Sequence, residues 1–111
     1  MIRLEQVSRT YALGGGLTVL REVDLRIRRG EAVCIVGPSG SGKSTLLHIM
    51  GLLDRPSRGR LYFDEADTSA FSDEELSRLR GRSIGFVFQA FHLLSHLSVC
   101  ENVELPLHYQ R

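Results

Sequence analysis

The feature that most constrains this chain is the segment Gly37-Pro38-Ser39-Gly40-Ser41-Gly42-Lys43-Ser44-Thr45, which meets the pattern G-x-x-x-x-G-K-[ST] at every fixed position. The pattern works only between a strand and a helix, and the flanks predict both. Ala32-Val33-Cys34-Ile35-Val36 is a continuous apolar run, the mark of a strand buried on both faces, and it enters the loop directly. From Lys43 to about Leu53 the apolar residues Leu46, Leu47, Ile49, Met50 and Leu53 predict a helix. The glycines let the backbone curl so that successive N–H groups converge on an anion, and the helix N-terminus adds partial positive charge at the same point. Thirteen of the fourteen basic residues are arginine, and the single lysine is Lys43. A compact ammonium reaches between two phosphates where a planar guanidinium is too wide. The segment therefore predicts a cradle for a nucleoside triphosphate. Lys43 bridges the outer phosphates, the Ser44 hydroxyl supplies a Mg²⁺ ligand, and Thr45 caps the helix or meets the α-phosphate region.

The rest of the chain reads as alternating elements. Ile2 to Tyr11 predicts a strand with imperfect alternation: Ile2, Leu4 and Val7 are apolar among polar neighbours. Gly14-Gly15-Gly16 predicts a turn. Val19 to Ile27 predicts an antiparallel partner, with Val19, Val23, Leu25 and Ile27 on one side, Arg21 as the exception there, and Leu20, Glu22, Asp24 and Arg26 on the other. Leu61-Tyr62-Phe63 predicts a short strand. Ser72-Asp73-Glu74-Glu75 has the capping-box spacing and opens a helix to about Arg80, its acidic first turn and Arg78/Arg80 last turn both suiting the dipole. Ser83 to Phe88 predicts another strand, ending at Gln89. Ser98-Val99-Cys100-Glu101 repeats the capping box, and Pro106 is expected to bend or interrupt the helix that follows.

Composition narrows the class. The formal net charge of +1 gives no bulk electrostatic argument for nucleic acid or an anionic membrane, and nucleic acid is not an expected partner. No apolar run approaches the length of a membrane span. Cys34 and Cys100 stand far apart without C-x-x-C spacing, which predicts two reduced thiols in a cytosolic chain, Cys34 as a small buried hydrophobe.

Tyr11, the phosphate loop, Ile84-Gly85-Phe86-Val87-Phe88-Gln89-Ala90-Phe91, and Leu97-Ser98-Val99-Cys100-Glu101-Asn102-Val103-Glu104-Leu105-Pro106-Leu107 together resemble the nucleotide-binding subunit of ATP-binding cassette (ABC) transporters. The likeness is greatest to the group serving lipoprotein release and macrolide-type export, and it covers Ile2 to Leu107. It implies an α/β P-loop NTPase fold: a RecA-like core with an antiparallel β subdomain. In that layout 1–31 is the antiparallel part, 32–53 the P-loop strand–loop–helix, 54–89 the connecting strand, helix and Q-loop strand, and 90–111 the start of the helical, permease-facing part. It implies ATP and Mg²⁺ as ligands, and nucleotide binding by Tyr11, stacked on adenine, and by Gly37 to Thr45. Ser44 and Gln89 are implied as Mg²⁺ ligands, with Gln89 reporting nucleotide state to the membrane partner. Phe91, Leu93, Leu94 and Leu97 are implied as apolar anchors for a membrane permease, core packing being the alternative for them. A second copy of the ATPase subunit is the other implied partner, and the cytoplasmic face of the inner membrane the implied location.

Other parts of the family pattern do not occur in these residues: the Leu-Ser-Gly-Gly-Gln signature, an apolar run followed by Asp-Glu (the Walker B acid and catalytic base), and a switch histidine. No catalytic residue is therefore assigned. A general base contributes roughly 10²–10⁴-fold, and groups supplied in trans to a transferring phosphoryl roughly 10³–10⁵-fold. The 111 residues are thus expected to be the N-terminal half of a transporter ATPase, incomplete after the Q-loop region and inactive alone. The P-loop strand is also expected to expose its edge and apolar faces. The alternative is a naturally short, non-hydrolytic nucleotide-binding or permease-docking module.

Overall fold

The computed structural model describes residues 1–12 and 15–108. Gly14 of the expected glycine turn and the last three residues of the 90–111 segment lie outside the described residues. The chain divides into two compact units, Met1–Ser72 and Asp73–Arg111.

In the first unit, β1 (Ile2–Tyr11) and β2 (Leu17–Ile27) form the expected antiparallel hairpin. β3 (Arg58–Phe63) pairs on the other side of β1, and the two-residue β4 (Ala66–Asp67) pairs with β3, also antiparallel. Among the described residues the sheet order is β2-β1-β3-β4. Helix α1 (Lys43–Met50) ends three residues before the expected Leu53. Gly51, Leu52 and the residues after it turn the chain away, with Leu52 at φ 59° and both Leu53 and Asp54 donating their N–H to the His48 carbonyl, at 2.8 and 3.2 Å.

The imperfect alternation of β1 has a structural cause. The register steps from Leu4↔Leu25 to Val7↔Val23, so β1 carries one extra residue there. Gln6 sits at φ 50°, and the carboxylate of Asp24 accepts its backbone N–H at 2.8 Å. This is a β-bulge, and it resets side-chain parity. Leu4 and Val7, three apart, therefore both enter the core, at 2% and 0% exposure. A second bulge at Glu22 (φ 47°, its N–H donating to Ser8 Oγ at 2.9 Å) resets β2. It brings Leu20 into the core, apart from Glu22, Asp24 and Arg26, with which the two-sided reading groups it. Gly59 makes the close approach of β3 possible: a Cβ there would lie 2.3 Å from the Gln6 carbonyl oxygen, and its φ is 81°. Among the described residues, Leu4, Val7, Leu20, Ile49, Met50, Leu52 and Leu61 are the unit's large buried apolar side chains. The buried Thr68 hydroxyl is satisfied by the Leu61 carbonyl at 2.9 Å.

Two expected strands do not form. Residues 32–36 and 84–88 are in neither sheet nor helix. Neither has a hydrogen-bonded neighbour strand among the described residues, and a strand exists only as part of a ladder. The expected double-sided burial fails with it: Val36 is 87% and Val87 103% exposed, and Cys34 is exposed rather than a buried hydrophobe. This bears out the exposure expected of an apolar run without parallel neighbours.

In the second unit, α2 (Asp73–Ser83) runs a turn past the expected Arg80, with Glu74 and Arg78 paired at i,i+4. α3 (Val99–His108) opens on a reciprocal capping box: Ser98 N–H donates to Glu101 Oε2 at 2.8 Å and Glu101 N–H to Ser98 Oγ at 3.3 Å. Pro106 does not interrupt α3, which carries it inside.

Candidate functional site

The phosphate loop leaves the irregular run 32–36 at Gly37 and closes on α1 at Lys43. Gly40 and Gly42 hold positive φ, 77° and 92°, a region that L side chains rarely adopt. Gly42 cannot carry a side chain for a second reason. A Cβ there would meet Leu20 Cδ2 at 2.9 Å and the Val19 carbonyl at 3.1 Å. The loop is thus pressed onto β2, and the helix entry is fixed by the sheet. Gly37 has a similar role across the loop, where a Cβ would stand 2.8 Å from Ser41 Oγ.

Lys43 Nζ folds back over this loop. It donates to the carbonyls of Gly37 and Pro38, at 2.8 and 2.7 Å, and to Ser41 Oγ at 3.4 Å. The ammonium is therefore held at the mouth of the loop it is expected to serve. No side chain caps α1, and no acidic residue stands in its first turn. The first N–H groups of a helix have no intrahelical acceptor. Here they add to the lysine charge with no carboxylate in that turn to oppose it. Ser44 is exposed in the first turn and Thr45 half-buried. The chemistry such an arrangement supports is binding of a polyanion through backbone amides and one cation.

Tyr11 ends β1, half-buried. Its hydroxyl donates to Asp54 Oδ2 at 3.0 Å, and the Arg9 guanidinium lies over its ring, 4.5 Å from the centroid. Arg9 in turn pairs with Asp54 Oδ1 at 2.8 Å. Neither Arg9 nor Asp54 was singled out by the sequence. Asp54 follows an apolar helix pattern and reads as loop, and Arg9 as one solvated arginine among thirteen.

The remaining predicted site residues lie in the second unit. Gln89 is exposed and follows the irregular run 84–88, within which the Phe86 and Phe88 rings stack at 5.3 Å. Phe91, Leu93 and Leu94 are exposed, Phe91 to 87%, and Leu97 is half-buried. The segment is ordered by Asn102, another residue not singled out. Its side-chain amide donates to the carbonyls of Leu94, Leu97 and Ser98 at 2.9–3.2 Å and accepts the Leu94 N–H at 2.9 Å. Among the described residues no helix is long and apolar enough to cross a membrane.

A family model described as ABC transporter matches residues 20–111. An uncharacterized ABC transporter ATP-binding protein of Methanocaldococcus jannaschii, MJ0796, is 50% identical over 108 residues, 96% of this chain and 46% of its own. The lipoprotein-releasing system ATP-binding protein LolD of Bdellovibrio bacteriovorus is 53% identical over 106 residues, 95% of this chain and 48% of its own. The macrolide export ATP-binding/permease protein MacB of Escherichia coli is 52% identical over 110 residues, 98% of this chain and 17% of its own. A dimeric structure of the MJ0796 cassette in a post-hydrolysis state, bound to ADP and Pi, superposes with a TM-score of 0.92 at 47% identity, covering all of this chain and 48% of that one. The chain thus spans about half the length, or less, of the relatives it matches.

Proposed function

The chain belongs to the ABC transporter family of ATP-binding proteins, and from that premise we propose that it binds Mg-ATP through the loop Gly37–Thr45 as part of an ATPase that drives transport through a membrane permease. The observation that carries the reading is the folded-back lysine. Lys43 Nζ is held by two backbone carbonyls over a loop whose glycines adopt the curled backbone of an anion nest. Those carbonyls are neutral acceptors, and phosphate oxygens displace them because they add the Coulomb attraction of a negative charge for the ammonium.

The residues present suit Mg²⁺. The cation prefers hard oxygen ligands and keeps several waters and phosphate oxygens. The exposed Ser44 hydroxyl beside Lys43 is proposed as one such ligand; Gln89 is proposed as a ligand on the family resemblance alone. The metal would neutralise phosphate charge. Tyr11 is proposed to stack on the adenine ring, with Lys43 and the loop amides orienting the phosphates. The family hydrolyses ATP as a class. The 111 residues alone are proposed to bind without appreciable turnover, because they hold no general base of the Walker B type. The exposed Phe91, Leu93 and Leu94, with Leu97, are proposed to meet the permease. The domain layout 1–31, 32–53, 54–89 and 90–111, pairing with a second copy, and a place at the cytoplasmic face of the membrane complete the proposal. They are supported by the likeness to LolD, MacB and the dimeric cassette.

Isothermal titration of the chain with Mg-ATP tests the reading. Lys43→Ala is expected to weaken binding about ten- to a hundredfold, the worth of one hydrogen bond to a charged group. Unaltered affinity in that variant, or no heat from a wild-type chain with native circular dichroism, would show the loop to be misassigned.

A further inference from the structure

Arg9 and Tyr11 are two apart on β1 beyond the bulge, so their side chains share the face that also carries the fully buried Val7. There a single carboxylate serves both. Asp54 Oδ1 takes the Arg9 ion pair at 2.8 Å, and Oδ2 takes the Tyr11 hydroxyl at 3.0 Å. The Arg9 and Asp54 side chains retain only 23% and 24% exposure, which reduces screening of the pair. The guanidinium lies over the tyrosine ring even though this leaves its Nε buried without a partner. A freely solvated arginine would not accept that cost.

Asp54 is itself fixed. Its Oδ1 accepts the Arg55 N–H at 2.8 Å, and its own N–H donates to the His48 carbonyl in the last turn of α1. The same helix begins at Lys43. A chain of direct contacts therefore runs from the phosphate loop through α1 and Asp54 to the Tyr11 ring.

We propose that Asp54 and Arg9 are positioning residues that set the Tyr11 ring as a platform for a purine base. Asp54 fixes the hydroxyl and Arg9 backs one face, so the base takes the other. The inference rests on the nucleotide-binding reading given above, and it adds that preference for a base over a bare phosphate chain is set from the far end of the P-loop helix.

The test compares affinity for ATP with affinity for inorganic triphosphate, which has the phosphates and no base. For Tyr11→Ala the ratio is expected to fall about five- to a hundredfold, the worth of one base–aromatic stack. Tyr11→Phe and Asp54→Asn should each lower it about two- to tenfold, the worth of one hydrogen bond. The double variant should be no worse than the poorer single one, because Tyr11→Phe leaves position 54 no hydroxyl to hold. Arg9→Ala should lower the ratio as well; a higher ratio would mean that the guanidinium occupies the face the base needs, and would overturn the proposal. Tyr11→Phe keeps the shape of the ring, so it decides the matter even if Asp54→Asn disturbs the fold. A wild-type chain that binds neither ligand sinks the nucleotide-binding reading itself. One that binds both, with no preference for ATP or with ratios unmoved by Tyr11→Phe and Asp54→Asn, sinks only this inference.

Discussion

β1 and the run Ala32–Val36 are both apolar strand patterns, yet they end in opposite surroundings. β1 has a hydrogen-bonded neighbour on each side and buries Leu4 and Val7. The run before the phosphate loop has no ladder among the described residues and leaves Val33 and Val36 at 45% and 87% exposure. The difference lies in what each needs. A half-buried antiparallel strand needs one covered face and paired edges, and β2 and β3 supply the edges. A strand apolar on both faces needs both faces covered and parallel neighbours as well. Apolar content says that a segment has something to bury; it does not say that the partner is at hand. Residues 84–88 repeat the lesson, with Val87 fully exposed.

The largest test of this contrast is a pair of truncations. Leu61, at 2% exposure, lies in the ladder of β3 with β1. Leu61→Ala is expected to destabilise the first unit by about 3 kcal/mol, transfer and cavity terms together. Val36→Ala should cost no more than about 0.5 kcal/mol, as for an exposed site. Urea unfolding followed by circular dichroism reads both. Equal losses would mean that the run is packed in solution and that the contrast is false.

A smaller effect sharpens the same point at the β1–β3 junction. Gly59→Ala puts a Cβ against the Gln6 carbonyl at a residue with φ 81°. The expected loss is about 2 kcal/mol from backbone strain, with faster amide exchange in β3 than in α1. Exchange that quickens equally in both would show that the bulge is no local clamp.

Much of this was legible beforehand, and the parts that were not have physical reasons. The bounds of β1, the antiparallel hairpin and the start of α1 at Lys43 follow from local pattern, because each is set by residues close in sequence. The Ser98 capping box was legible for the same reason. The bulges were not, because a positive φ at Gln6 or Glu22 carries no residue signature; only the broken alternation hinted at it. Strands at 32–36 and 84–88 were read from hydrophobicity, which cannot report a missing neighbour. In the site, Gly37–Thr45 was fully legible as a motif. The Arg9–Asp54 pair was not, because it joins positions 45 residues apart through a fold no local window contains.

The second unit gives the smaller predictions. Its best-defined polar feature is the α3 cap, and Ser98→Ala should destabilise that helix by about 1 kcal/mol. The measurement is amide exchange within α3, with the first unit as an internal reference that should not move.

The smallest effect is in the pH dependence of the same cap. The Ser98 hydroxyl and N–H donate to the Glu101 carboxylate and hold its pKa below the usual glutamate value. A depressed folded-state pKa means that the unfolded chain binds the proton more readily. The contribution is therefore complete above the ordinary glutamate pKa and is lost as pH falls through the lowered folded value. α3 should fray on acidification across that window. Ser98→Ala removes the hydroxyl donor and keeps the backbone N–H, so it should shrink the acid limb, whereas Glu101→Gln should abolish the titration while keeping a weaker cap. An acid limb of unchanged slope in Ser98→Ala would assign the pH dependence to another carboxylate. Asp64 is the first to examine, since the N-terminal amine and Arg29 depress its pKa in the same direction. Because Asp64 lies in the first unit and Glu101 in the second, site-resolved exchange tells the two apart and returns the answer to the contrast between the units.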